Sequence, residues 1–138
     1  MALLDVNVLV ALAWDSHVHH AAARSWFVGG GSEDWATCPV TESGFVRVSS
    51  NPRALPAAIG IADALAVLRG MRAVGTHRFL ADDVSPTDHD VPAVSGHRQV
   101  TDAQLLTLAR RSRVRLVTFD AAIATLAGGR DVEILTAL

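Results

Sequence analysis

The stretch MALLDVNVLVAL, Met1 to Leu12, decides the fold. Ala2-Leu3-Leu4 has the length and composition of a strand buried on both faces, and it stops at a carboxylate, Asp5. The next apolar run, Val8 to Trp14, is too long for a second central strand and reads as a buried helix. Asp5 therefore stands where a first strand hands over to a first helix. In an open α/β sheet that handover lines the crevice where ligands bind.

Working outward, His19 to Val28 carries a helical stripe that stops at Gly29-Gly30-Gly31. Trp35 to Cys38 reads as a strand closed by Pro39, and Thr41 is placed to cap a helix from Glu42 to about Val48. Asn51-Pro52-Arg53 and Pro56 mark a break, and the longest helical pattern spans Leu55 to Val74, before Gly75. Arg78 to Ala81 is a strand, and Asp82 to Gly96 is a polar loop whose Asp82, Asp83, Asp88 and Asp90 are expected to be solvated. Thr101-Asp102-Ala103-Gln104 has the form of a capping box opening a helix to about Arg111. Arg115 to Phe119 is the clearest strand, followed by Asp120, a short helix from Ala121 to Ala127, and a last strand from Val132 to Leu135. Strands alternating with helices build right-handed βαβ units and a mostly parallel sheet covered on both faces.

The bulk properties narrow the class. A chain of 138 residues, half of them hydrophobic, is expected to form one domain over 1–138 with a sizeable core. No apolar run approaches the roughly 20 residues of a membrane helix, and no charged leader precedes the first strand, so a cytoplasmic protein without a membrane partner is expected. The lone cysteine, Cys38, excludes an internal disulfide and a cysteine-based zinc cage. A net charge of −2 argues against indiscriminate electrostatic binding of nucleic acid. All twelve basic residues are arginines, so the chain has no lysine and no P-loop. The crowded set Arg110, Arg111, Arg113 and Arg115 permits a phosphate-bearing partner, but reads first as a solvated face. His17, His19 and His20 fit no common zinc spacing.

The acids complete the outline. Asp5, Glu42, Asp102 and Asp120 all fall at strand ends or helix starts, and in a parallel sheet those positions share one edge. Singly, Glu42, Asp102 and Asp120 suit a helix N-terminus, where the dipole favours an ionised acid. Jointly, four carboxylates repel unless a cation lies between them. The donors are hard oxygens, with Asn7 and Thr118 as further candidates, which suits Mg²⁺ or Mn²⁺.

With these residues in place the sequence resembles a PIN domain and, within that family, a VapC-type toxin of a bacterial toxin–antitoxin pair. Four blocks carry the resemblance: LLDVNVLVAL (Leu3 to Leu12), CPVTESGFVRV (Cys38 to Val48), VTDAQLLTLAR (Val100 to Arg110) and LVTFDAAIA (Leu116 to Ala124). It implies an α/β/α sandwich, endoribonuclease activity on RNA, a cognate VapB-type antitoxin and a homodimer. It maps Asp5, Glu42, Asp102 and Asp120 onto an acidic quartet that binds Mg²⁺ or Mn²⁺, with Asn7 and Thr118 as supporting polar positions. Some relatives carry another acid just after the fourth, whereas Ala121, Ala122 and Ile123 follow Asp120 here. Arg47 and Arg98 are weak candidates to hold substrate phosphates. Two rivals remain: a PIN-like RNA- or protein-binding module without catalysis, and an acid-site phosphotransfer domain. The absence of lysine and the presence of Asn7 two residues after Asp5 count against the second.

Overall fold

The structure, a computed structural model, describes residues 1–137. Five strands, β1 (Ala2–Leu4), β2 (Trp35–Thr37), β3 (His77–Phe79), β4 (Arg115–Thr118) and β5 (Val132–Ile134), form one sheet in the order β3-β2-β1-β4-β5. Every pairing is parallel, so the expectation of a mostly parallel sheet is met in full among the described residues. Six α-helices accompany it: α1 (Val6–Ala13), α2 (His20–Val28), α3 (Pro39–Ser49), α4 (Ile61–Arg72), α5 (Val100–Arg111) and α6 (Ala121–Ala127).

The two-residue period of the strands sorts the core into two layers. Ala2, Leu4, Trp35 and Val117 face Val8, Leu9, Phe45 and Leu68 of α1, α3 and α4. Leu3, Ala36 and Leu116 face Leu105, Leu106, Ala109 and Ile123 of α5 and α6. The result is a three-layer α/β/α sandwich. From β1 the chain winds through β2 to β3, then crosses to β4 on the other side of β1, and the covering helices change face at that crossing. The β1/β4 boundary is therefore the switch point, with the crevice at the carboxyl ends of these two strands.

Several boundaries differ from the sequence reading for identifiable reasons. The helix predicted to start at Glu42 starts at Pro39, because proline needs no amide partner in a first turn and has its φ preset for a helix. Thr41 lies inside that turn, where its Oγ1 accepts from the Cys38 amide at 3.0 Å. The pattern read from Leu55 begins as helix only at Ile61. Before it the chain turns, with the Leu55 amide on Asn51 O and the Ile59 amide on Ser49 O, both at 3.0 Å. β3 lies one residue earlier than predicted because Trp35, Ala36 and Thr37 pair with His77, Arg78 and Phe79. The capping box at Thr101 does not form: a 3-10 turn, His97–Gln99, runs straight into α5 and leaves Thr101 within the helix. Gln104 instead donates to Asp82 Oδ2 at 2.9 Å.

That contact corrects the reading of the polar loop. Asp82 also receives the Val84 amide, and Arg111 at the end of α5 bonds Asp88 at 2.8 Å and Asp90 at 2.6 Å. Hydrogen bonds from Arg111 hold the Asp88 carboxyl below the usual range and that of Asp90 down at about 2. The arginine cluster is thus largely committed within the protein, since Arg110 pairs with Asp131 and Arg115 with Glu133. No helix among the described residues is long and apolar enough to cross a membrane.

Candidate active site

Register builds the site. Leu4 pairs with Val117, so the residues that follow them, Asp5 and Thr118, leave the sheet side by side. The Asp5 amide still bonds Val117 O at 2.9 Å, after which Asp5 becomes the N-cap of α1, its Oδ1 accepting from the Val6 amide at 2.7 Å. Its other oxygen, Oδ2, accepts from Thr118 Oγ1 at 2.8 Å. The same hydroxyl oxygen accepts from Asn7 Nδ2 at 3.1 Å and from the Asp120 amide at 3.0 Å. Asn7 Oδ1 in turn accepts from the Phe119 amide at 3.2 Å. Thr118 is fully buried and Asp5 nearly so. Asn7 and Thr118, singled out in the sequence as supporting polar residues, therefore tie the start of α1 to the end of β4.

Asp120 caps α6 through the Ala122 amide at 3.0 Å and is exposed at the rim. Asp102 occupies the first turn of α5, half-buried. Burial pushes the Asp102 carboxyl up to about 6, and the charges of Asp5 and Asp120 add to the rise. Asp5 is also raised, first by burial and in smaller part by Asp120, while its bonds from Thr118 and Val6 oppose the change. A helix dipole was expected to favour the ionised acid at Asp102. Burial and the two like charges outweigh it. None of the three aspartates forms an ion pair with an arginine, a histidine or the N-terminus among the described residues.

Glu42 is engaged by partners of its own. It projects towards α4, where its carboxylate takes the Thr37 hydroxyl and an ion pair with Arg72 at 3.3 Å. His77 Nε2 completes that network at 2.7 Å from Thr37 Oγ1. Glu42 shares a face of α3 with Val46 and Ser50 along a groove of about 500 Å³ against Ile61 and Leu65. Sequence reasoning missed Arg72, Thr37 and His77 because they meet only through the packing of α3 on α4 and of β2 on β3.

Gly44 lines a second cleft, of about 610 Å³, with Val6 and Thr101, the chain neighbours of Asp5 and Asp102, and Arg47 borders both this cleft and the Glu42 groove. Arg47 forms no ion pair among the described residues. Gly44 is needed there, because a Cβ would stand 2.5 Å from Val6 Cγ2. Arg98 is exposed in the 3-10 turn four residues before Asp102.

The donor set of Asp5, Asp102 and Asp120 is oxygen-only, clustered enough to repel and without a compensating cation. That chemistry fits a hard divalent ion. Among the described residues no three His, Cys, Asp or Glu side chains stand at metal-ligating separation, so the aspartates form a loose cluster rather than a closed cage.

A strand-end acid at the switch point, a second after the neighbouring strand and a third at the start of the crossing helix define a class of protein, and the chain belongs to it: the PIN-domain family, whose model matches residues 2–129. Its relatives are VapC proteins. Ribonuclease VapC38 of Mycobacterium tuberculosis (strain ATCC 25618 / H37Rv) is 68% identical over 141 residues, covering all of both chains. Ribonuclease VapC39 of the CDC 1551 / Oshkosh strain is 51% identical over 139 residues, covering 97% of this chain and 99% of the relative. Ribonuclease VapC44 of the same strain is 44% identical over 126 residues, 89% of this chain and 88% of its own. Among solved structures, M. tuberculosis VapC20, described as a sarcin–ricin loop cleaving toxin, superposes with a TM-score of 0.63 over 99% of this chain and 100% of its own. At 13% identity that likeness speaks for the fold.

Proposed function

We propose that the chain is a divalent-metal-dependent endoribonuclease, the toxin of a toxin–antitoxin pair, with Asp5, Asp102 and Asp120 as the residues that hold Mg²⁺ or Mn²⁺. The carrying observation is the convergence of three unpaired aspartates at the β1/β4 switch point of a PIN-domain chain. The names of its relatives support ribonuclease chemistry. A bound divalent ion lowers the pKa of its water and neutralises charge developing on the phosphate.

The protein's own contribution is positioning. Thr118 and the Val6 amide fix both oxygens of Asp5, so its lone pairs are aimed before any ligand arrives. Asn7 and Thr118 hold the β4 end, which sets where Asp120 enters the crevice. Asp102, whose carboxylate accepts no hydrogen bond among the described residues, supplies a charge that a cation would compensate. Arg47 is placed to hold a neighbouring backbone phosphate bidentately. Glu42 is left out of the ligand set because Thr37 and Arg72 engage it. Water rather than the ribose 2′-hydroxyl is the nucleophile, giving 5′-phosphate and 3′-hydroxyl ends. A cognate VapB-type antitoxin that blocks the crevice, and a homodimer, complete the reading.

The test is cleavage of mixed cellular RNA by purified protein with Mg²⁺ or Mn²⁺ and with chelator, beside Asp5→Asn and Asp102→Asn. Cutting that needs the ion and is lost in both folded variants supports the site. Cutting that survives both substitutions, or products with 2′,3′-cyclic phosphate ends, would overturn it.

A further inference from the structure

The turn between α1 and α2 carries His17 and His19, and His20 opens α2; the site described above uses none of them. The His19 ring lies on the Phe119 ring, with centroids 4.5 Å apart and planes 13° from parallel. The His17 ring lies beyond it, 5.8 Å from His19 and tilted 43° to it. All three rings are partly open to solvent. Phe119 is the residue between Thr118 and Asp120; its ring packs on the α1/α3/α4 layer of the core, so the row rises from that layer beside the backbone that carries Asp120. Its base is held firmly, since the Phe119 amide is bonded to Asn7 Oδ1.

The polar edges of the row point to stacking rather than to metal or proton chemistry. His19 Nδ1 is the only buried side-chain nitrogen or oxygen without a hydrogen-bond partner among the described residues. A buried polar group with no partner is uncommon and calls for a reason. Here the ring is kept in place by its face on Phe119 and not by its nitrogens. His17 Nδ1 accepts the His19 amide at 3.0 Å and His20 Nδ1 bonds Ala11 O at 2.8 Å, so the three rings do not turn their nitrogens to a common point.

We propose that the His17–His19–Phe119 row is the platform on which an unpaired base of the RNA stacks beside the bond to be cut. Proteins select single-stranded RNA by splaying bases onto Phe, Tyr, Trp or His, and such stacking tolerates any base because each has a π face. The chain has no tyrosine, Trp35 is fully buried, Trp14 and Trp26 pack on the core, and the exposed Phe79 lies under the Arg72 guanidinium, so the row is the aromatic surface that adjoins the Asp120 segment. This inference rests on the ribonuclease reading. It adds a binding element that sits outside the carboxylates.

The experiment measures binding of a fluorescent single-stranded 12-mer RNA of mixed sequence by full-length protein in chelator, so that nothing is cut. A matching oligomer with abasic positions is the control. His19→Ala and Phe119→Leu should each weaken binding of the base-bearing RNA on the order of ten-fold while leaving the abasic oligomer unaffected. His19→Phe keeps an aromatic face and should stay within about two-fold of wild type, which also guards against misreading a misfolded His19→Ala. In cleavage assays with metal, the loss in His19→Ala should fall on KM more than on kcat. Unchanged affinity of a folded His19→Ala, or an equal loss for both oligomers, overturns the platform while the ribonuclease reading stands. A wild-type protein that neither binds nor cuts RNA overturns both.

Discussion

Asp102 should make the metal-free protein less stable, and removing its charge should therefore stabilise the fold while abolishing activity. Its carboxyl rises from the ordinary 3.8 to about 6 in the folded state, through burial and the charges of Asp5 and Asp120. The folded chain thus binds the proton more tightly than the unfolded chain. Below pH ~4 the group is neutral in both states and exacts no penalty; as the pH rises through about 6 the folded state is forced to carry an unfavourable charge. Two pKa units correspond to at most ~3 kcal/mol. Asp102 is only half-buried, so solvent screening reduces this to about 1 kcal/mol. Asp102→Asn is near-isosteric and should raise the melting temperature in chelator at pH 7.5 by about 3–5 °C. The gain should shrink towards zero as the pH falls to about 4. Adding Mg²⁺ should then narrow or reverse the difference, since a ligand at ten times its Kd stabilises the wild type by roughly 1.4 kcal/mol and the variant by less. Differential scanning fluorimetry across pH, with and without the ion, reads all of this. An Asp102→Asn protein that melts below wild type in chelator at pH 7.5, or a difference that does not depend on pH, would refute the account of three uncompensated aspartates.

Other substitutions probe the parts separately. Thr118→Val keeps shape but strips hydrogen-bond partners from Asp5, Asn7 and the Asp120 amide; urea unfolding should show a loss of about 2–3 kcal/mol, with metal-dependent cleavage reduced as well. Gly44→Ala sets a methyl 2.5 Å from Val6 Cγ2, so it should cost about 1–3 kcal/mol in the same measurement and shift the start of α1 that carries Asp5. Glu42→Gln should retain most of the cleavage rate under conditions where Asp102→Asn loses nearly all of it; comparable losses in single-turnover assays would return Glu42 to the site. Arg111→Ala should leave the urea midpoint of global unfolding nearly unchanged, as expected for a solvent-screened pair, yet hydrogen exchange at the amides of Ser85 to Val91 should accelerate because Asp88 and Asp90 lose their anchor.

The architecture was legible wherever a single segment carried its own signal. Ala2–Leu4 and Leu116–Val117 are short apolar runs with an aspartate within three residues of their ends, and both lie in central strands buried on two faces. The boundaries that moved depend on partners elsewhere. β3 takes its limits from β2, whose three residues leave nothing for Ala81 to pair with. Residues 55–60 satisfy the apolar pattern of a helix, but Leu55 enters the core and Ile59 bonds Ser49, so burial is achieved by turns instead. A capping box at Thr101 is locally plausible. It loses to the 3-10 turn that precedes α5 and to Asp82, which draws Gln104 away.

The same distinction explains the site. Asp5, Asp102 and Asp120 could be placed from sequence because each is tied to the end of a strand or the start of a helix, and parallel strands put such positions on one edge. Glu42 occupies an equivalent position by that rule and still points elsewhere. Position along the chain fixes the edge of the sheet, whereas the azimuth of a helical side chain is set by how its helix packs on its neighbours, here α3 against α4 and α1. The Val6 side of α3 carries Gly44, a small residue admitting Val6, while Glu42 meets Arg72 and Arg47 borders both grooves without an ion pair among the described residues. On the proposed reading, three aspartates that no cation of the protein compensates and a nearby free guanidinium suit one divalent ion together with an anionic polymer.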